Sequence, residues 1–316
     1  MRLKTSIILT LLLTWFTGSV CAQTIRMAYP GTAGFNVPFF LAHEAGLFRK
    51  HGINSELVLI ANSSPTIQAL VAGDIDVVNS TGSAPLNAAL KGADLILVAS
   101  SYNLMPYAMV VSKEVRSPED LKGKPMAVGN LGGAVEAALL MTLERLKVNP
   151  KDSPFIRTGS EAGRIAAVYS GTAAATVIAP PGLYRATSMG LKMYVDLGEL
   201  GLKYPASVIT VRRSQLNRDR PLIKKILMGF AEGLFLYKQN KKAATDVMQK
   251  YSRLSDQELV SKTHDYFVKH TSTVPLVDAA AITAALPVGK TTEKPSGDLY
   301  DNSVLQELIQ ERFIKQ

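Results

Sequence analysis

Short β-like runs alternate with helical stretches from Ile25 onward, and beyond Ser117 the alternation begins again. Ile25 to Tyr29, Glu56 to Ile60, Asp74 to Asn79 and Asp94 to Ser100 read as strands, because apolar residues crowd into runs too short for helices. Between them Pro38 to His51, Thr66 to Ala72 and Pro85 to Lys91 carry helical spacing, the second ended by Gly73. Parallel neighbours need a crossover, and helices supply it on both faces, so this order predicts a mostly parallel, doubly wound α/β sheet.

Pro106 to Ser112 is a further strand, and Ser117 to Lys124 makes a short helical turn into the strand Pro125 to Gly129. Helix Ala134 to Leu146, strand Pro154 to Thr158, helix Ala162 to Ser170, strand Ala174 to Ile178 and helix Leu183 to Met189 repeat the first architecture. Ser207 to Val211 is one more strand, and from Pro221 onward the chain reads as helical, with Leu222, Ile226, Phe230 and Leu234 on one face. These helices bring no strands of their own, so they are expected to pack back on the first lobe. The division that follows is 23–110 plus 207–316 for lobe 1 and 111–206 for lobe 2. The chain then crosses twice, near Tyr107 to Lys113 and near Tyr204 to Arg212, and two crossings make a hinge.

Residues 1–22 read as a cleaved secretory leader: Arg2 and Lys4, an apolar run from Ser6 to Phe16, then Val20-Cys21-Ala22 before Gln23. The apolar core is shorter than the roughly 20 residues that span a bilayer, which disfavours an anchor. Val20 is bulky where a lipoprotein site wants Gly, Ala or Ser, which argues against acylation of Cys21. Cleavage removes the only Cys and the only Trp, so the exported chain has no disulfide and must rely on core burial. About 290 residues remain, long enough for two lobes. Loss of Arg2 and Lys4 lowers the formal charge from +9 to +7, spread over helix faces without interleaved aromatics. Nucleic-acid binding would need a basic stripe with stacking rings and is not expected.

The stretch from Phe39 to Phe48, FFLAHEAGLF, then Gly52-Ile53, then Ala69 to Val77, ALVAGDIDV, resembles the solute-binding proteins of nitrate, taurine and aliphatic-sulfonate importers, the NMT1/THI5-like and SsuA-like family. Ser117 to Lys124 is similar to that family's entry into its second lobe, Ala179-Pro180-Pro181 occupies its usual turn, and Pro295 to Leu305 resembles its closing segment. One departure is Thr172-Ala173-Ala174-Ala175, where family members often carry an acidic residue before the strand. The resemblance implies the type II periplasmic-binding-protein fold, two doubly wound α/β lobes joined by a two-segment hinge. It further implies capture of a small molecule by lobe closure and delivery to an ABC permease in the cytoplasmic membrane. A periplasmic monomer without cofactor or metal is expected. The implied ligand is a small organic or oxyanionic solute such as a sulfonate or carboxylate.

Ligands of open α/β sheets sit beyond the carboxyl ends of the strands, which names the loops that hold a site. After the first strand, Thr32, Gly34, Phe35 and Asn36 offer backbone N–H groups, a hydroxyl, an amide and a ring. After the third, Thr81, Gly82 and Ser83 precede a helix that needs only one hydroxyl as its cap. Tyr102 and Asn103 follow the fourth strand. In the second lobe Asn130, Gly132 and Gly133 open a helix, Ser160 stands in the next loop, and Pro180 shapes the wall. Glu161 is read first as a helix N-terminal acid, and Arg157, Arg164 and Arg185 first as surface residues. Recognition mainly by neutral donors is therefore expected.

No Gly-x-Ser-x-Gly elbow, His-Glu-x-x-His motif or Cys pair is present, and the four His residues are scattered. Two enzyme groups share the implied fold, the thiamin-pyrimidine synthases and the menaquinone-pathway enzymes. A chain stripped of its only Cys cannot supply the Cys-rich iron motif of the first, and export argues against the second, which is cytoplasmic. A binding protein is expected, with presentation of the liganded form to a membrane sensor as the alternative to transport.

Overall fold

The computed structural model describes residues 23–286 and 296–314; the expected leader at 1–22 lies outside the described residues. The first lobe opens with β1 (Gln23–Tyr29), α1 (Val37–Glu44), α2 (Leu47–Lys50), β2 (Ile53–Leu59), α3 (Ser63–Ala72), β3 (Val77–Ser80), α4 (Ser83–Leu90) and β4 (Leu95–Leu104). The helix expected over 38–51 is two helices. Gly46 takes a left-handed φ of 67°, which interrupts the helical ladder and turns Phe48 inward to full burial. Pro38 stands in the first turn of α1, where a missing N–H costs nothing.

The second lobe contains β5 (Ala108–Val111), β6 (Met126–Val128), α5 (Ala134–Arg145), β7 (Phe155–Arg157), α6 (Glu161–Tyr169), β8 (Ala175–Ile178), α7 (Gly182–Ser188) and β9 (Lys192–Asp196). The sequence reading omits β9, an edge strand with Lys192 and Met193 exposed, which lacks the apolar run that betrays the other strands. The chain returns through β10 (Lys203–Arg212) and ends in α8 (Arg213–Arg218), α9 (Arg220–Gln239), α10 (Lys241–Ser252), α11 (Gln257–Val268), α12 (Ala279–Ala285) and α13 (Ser303–Gln310).

The two sheets have orders β2-β1-β3-β10-β4 and β7-β6-β8-β5-β9. In the first, β1 lies parallel to β2 and β3, while β10 runs antiparallel between β3 and β4. In the second, β6 lies parallel to β7 and β8, and β5 runs antiparallel between β8 and β9. Each lobe thus accepts, in fourth place, the strand that borders a crossing. Sheet membership puts Ala108 to Val110 with the second lobe and Lys203 to Ala206 with the first, a few residues from the divisions expected at 110 and 207. The crossings run side by side. Lys203 pairs with Leu104, the Met105 N–H donates to the Leu202 carbonyl at 2.8 Å, and the Leu197 N–H donates to the Tyr107 carbonyl at 2.9 Å.

The C-terminal helices cover the first lobe, as the apolar stripe of α9 requires: Leu222, Ile226, Phe230 and Leu234 are all buried. Helix α9 approaches α1 through Gly233, where an added Cβ would stand 2.6 Å from both the Ala42 Cβ and the Pro38 carbonyl oxygen. Only a residue without a side chain admits this contact, because backbone cannot give way cheaply. Gly233→Ala is expected to destabilise the protein by about 1–3 kcal/mol, despite the better helix propensity of Ala. Thermal unfolding measures it; an unchanged midpoint would show that the α1–α9 contact relaxes.

Candidate ligand-binding site

The loops at the carboxyl ends of six strands converge on one cavity of about 300 Å³ between the lobes. Pro30 to Ala33, Phe35, Asn36, Ala61 to Ser63 and Thr81 approach it from the first lobe. Gly129, Asn130, Gly133, Ala134, Gly159 to Glu161, Arg164, Ala179 and Pro181 approach it from the second. Of the residues picked from the sequence, Thr32, Phe35, Asn36, Thr81, Asn130, Gly133 and Ser160 line the cavity.

The other seven stand outside its wall, each for a local reason. Gly34 gives its N–H to the Pro180 carbonyl at 3.1 Å, and Phe267 and Thr263 fill the space a Cβ would need, so Gly34 and Pro180 bond to each other. Gly82 packs on Pro205 and donates to its carbonyl at 2.7 Å. Ser83 is buried beside the Tyr204 hydroxyl. Tyr102 is 1% exposed, its ring edge-on to Phe267 in the core at the hinge. Asn103 accepts from the Ser100 hydroxyl at 2.7 Å and lies near Ser272. Gly132 sits in a left-handed turn with its N–H on the Glu136 carboxylate. Tyr102 and Asn103 stand outside the cavity because β4 continues to Leu104, so residues expected in a loop are part of the sheet.

Sequence reasoning set aside the residues that carry formal charge in this wall. Arg164, in the first turn and a half of α6, is only 5% exposed and lines the cavity. Its Nη2 is 3.9 Å from Glu161 Oε2, an ion pair too long for a hydrogen bond, and its Nε has no hydrogen-bond partner. Arg185 also lines the cavity, whereas Arg157 is exposed outside it. Desolvation by the surrounding cleft walls pushes the Glu161 carboxyl above the usual carboxylate range, against the pull of Arg164 and Arg185, although 43% of its side chain stays exposed. Burial likewise raises the Tyr107 phenol, which faces Arg164 and Glu161 across the same wall and stays neutral. The wall is therefore charged, with two guanidinium groups against one carboxylate, and the expectation of mainly neutral donors does not describe it. The spacing Glu161-x-x-Arg164 at a helix start was the available signal; a surface ion pair has the same spacing, so only burial separates the two.

Among neutral groups, Asn36 is fixed by its amide donating to the Gly31 carbonyl at 3.0 Å, which leaves Oδ1, on a residue 1% exposed, without a partner. The Ser160 hydroxyl is spent as the cap of α6, accepting from the Gly163 N–H at 3.0 Å. Phe35 packs edge-on against Tyr107 and Phe267, so it lines the cavity and also closes the core.

The lobes touch directly at the rim. The Asn62 amide donates to the Gly159 carbonyl at 2.7 Å, and the Ser64 hydroxyl donates to the Leu131 carbonyl at 3.1 Å. With the Gly34–Pro180 bond these are three protein-to-protein bridges across the cleft. Asn62 holds a left-handed φ of 72°, and Gly129 makes room for it: a Cβ there would lie 2.2 Å from Asn62 Oδ1. The cleft is closed.

Two α/β sheets of this strand order, hinged by paired crossings around a closed cleft, define a two-lobed binding-protein architecture. The model of the NMT1/THI5-like family matches residues 36–244, and the chain belongs to that family. No curated protein matches the sequence. Among solved structures, a Bordetella bronchiseptica protein aligns at TM-score 0.79 with 20% identity, covering 92% of this chain and 98% of its own. The alkanesulfonate-binding protein SsuA of Xanthomonas axonopodis, bound to MOPS, aligns at 0.70 with 20% identity over 93% of this chain and 94% of its own. The periplasmic nitrate-binding protein NrtA of Synechocystis aligns at 0.72 with 14% identity over 93% and 91%.

Gly129→Ala, by driving Asn62 off Gly159, is expected to open the ligand-free protein. X-ray scattering of the variant should give a larger radius of gyration than wild type with near-native circular dichroism. Equal radii would show that the rim bridges do not hold the lobes.

Proposed function

We propose that this protein is an extracytoplasmic solute-binding protein that closes on a small anionic organic molecule and presents it to an ABC importer. The observation that carries this reading is Arg164, a nearly buried cation in the cavity wall with an unpartnered Nε and no carboxylate within hydrogen-bond distance. Buried charges are paired, so an acid group on the ligand is the natural complement. The alkanesulfonate and nitrate proteins of the same fold support an anion as the guest. The cavity volume suits a small molecule, at the low end of the ~300–1,000 Å³ range of ligand pockets.

Binding rather than catalysis fits the lining, whose titratable side chains are Glu161, Arg164, Arg185 and Tyr107, without a nucleophile beside a base. Export rests on the leader expected at 1–22, and no helix of the described residues is long and apolar enough to cross a membrane. An ABC permease partner and a monomeric state belong to the same proposal. The lobe division is proposed at the two crossings, near residues 105–107 and 197–202, where no strand of either sheet runs.

Closure follows from differential contact. A ligand held by Asn36 and Thr32 on one side and by Arg164 on the other makes its full set of bonds only when the lobes meet, so it shifts the equilibrium toward the closed form. Arg164→Ala is expected to weaken binding of an organic anion found by thermal-shift screening by about 30-fold or more, the size of a truncated buried charge contact. Isothermal titration calorimetry measures it, with the unfolding midpoint as a check on the fold. Scattering of the opened Gly129→Ala protein with that anion should show compaction toward the wild-type radius; an unchanged radius of gyration would count against ligand-driven closure.

A further inference from the structure

Helix α11 touches the edge of the ligand cavity with one residue and the opposite lobe with its neighbour. Phe267 packs edge-on against the cavity residue Phe35, ring centres 5.8 Å apart, and with Thr263 fills the space beside Gly34, whose N–H bridges to Pro180. Tyr266, edge-on to Phe267 at 4.9 Å, reaches instead to the second lobe, where its hydroxyl donates to Asp196 Oδ1 at 2.9 Å. Asp196 ends β9, and the next residue, Leu197, gives its N–H to the Tyr107 carbonyl of the other crossing. Among the described residues this is the only hydrogen bond that joins a side chain of one lobe to a side chain of the other. It is built in from both sides. Asp196 Oδ1 also accepts the Gly198 N–H at 2.9 Å and the Glu199 N–H at 3.3 Å, so the turn after β9 fixes the acceptor for the phenol. Gly198 leaves the room, because a Cβ there would overlap the Tyr266 oxygen. Burial first, and then the Asp196 charge, raise the Tyr266 phenol above its usual range, so it remains a donor.

We propose that Tyr266 and Asp196 form a latch beside the hinge that holds the lobes closed from outside the ligand cavity. The proposal rests on the two-lobed receptor reading and adds to it a pair of positioning residues, neither of which lines the cavity. A hydroxyl bonded to a carboxylate is among the stronger hydrogen bonds, and it weakens steeply once distance and angle are lost. Rotation that carries the end of β9 away from α11 forfeits it, so the bond belongs to the closed form. An interaction made only in that form raises the closed population and, with it, the apparent affinity for every guest alike. Arg164 acts differently, because it rewards only a guest that carries an acid group. Through Phe267 and Phe35 the latch and the cavity bear on the same helix.

X-ray scattering of the full exported chain without ligand tests this, in the wild-type and Gly129→Ala backgrounds. Tyr266→Phe keeps the ring on Phe267 and removes only the donor. It should lower the closed-to-open ratio by about 10-fold or more, read as a larger radius of gyration in at least one background with near-native circular dichroism. Gly198→Ala, which displaces the phenol from the opposite lobe, is the second variant should the first fold poorly, and it should open the protein in the same way. Asp196→Asn keeps an acceptor oxygen oriented by the Gly198 and Glu199 N–H groups, so its radius should stay closer to wild type than that of Tyr266→Phe. An unchanged radius in both backgrounds, or an Asp196→Asn protein as open as Tyr266→Phe, would overturn the latch. The receptor reading is judged separately: loss of anion binding in Arg164→Ala, measured by calorimetry, leaves it standing whatever radius Tyr266→Phe takes.

Discussion

The first sheet is incomplete until the chain has made the whole second lobe. Its fourth place is β10, which bonds β3 through Val208 to Thr210 and β4 from Lys203 to Arg212. Without that strand β4 has no partner strand in the sheet, and the strand order β2-β1-β3 would end at an open edge beside Asn79 and Ser80. Burial of Val208, Ile209 and Val211 therefore depends on residues more than a hundred positions away. The same arrangement makes the hinge, because strands that border the two crossings lie next to each other and bring the crossings into one hydrogen-bonded pair. Both lobes can turn about it without breaking either sheet.

One apolar cluster runs through that hinge. Phe35, Tyr102 and Phe267 from the first-lobe elements pack with Tyr107, Leu197 and Tyr204 around the crossings. Phe35 belongs to this cluster and to the cavity wall, so ligand contact and hinge packing share a side chain. The three rim bridges contribute to closure by themselves, and a ligand needs to supply only the remainder of the differential contact. What it supplies is governed by the charges of α6. Arg164 is desolvated without being saturated, and Glu161 offers a partial counter-charge at ion-pair distance, which leaves polarity in the wall for a guest to complete.

The sequence by itself determined the class and order of the elements. Apolar runs of strand length, helical spacing and glycine stops are local properties, so the two βα sets, the stripe Leu222, Ile226, Phe230 and Leu234, and the loops after strands one to three of each lobe were readable directly. Thr32, Asn36, Thr81, Asn130 and Ser160 follow from that placement alone. The break at Gly46 and the edge strand Lys192–Asp196 escaped because a glycine within a helical pattern and a short, half-exposed run are ambiguous without their neighbours. Only the tertiary structure decided which residues leave the site and which enter it. Tyr102 and Asn103 went to the sheet because β4 extends against β10, a pairing fixed by the return of the chain. Arg164 entered because its side chain is buried in the cavity wall, and Glu161 and Arg185, both still exposed, line the same cavity; read in one dimension these positions are the same as those of solvated helix faces. Burial is a sum over distant segments, and it converts an ordinary i, i+3 pair into the charged wall of a binding cleft.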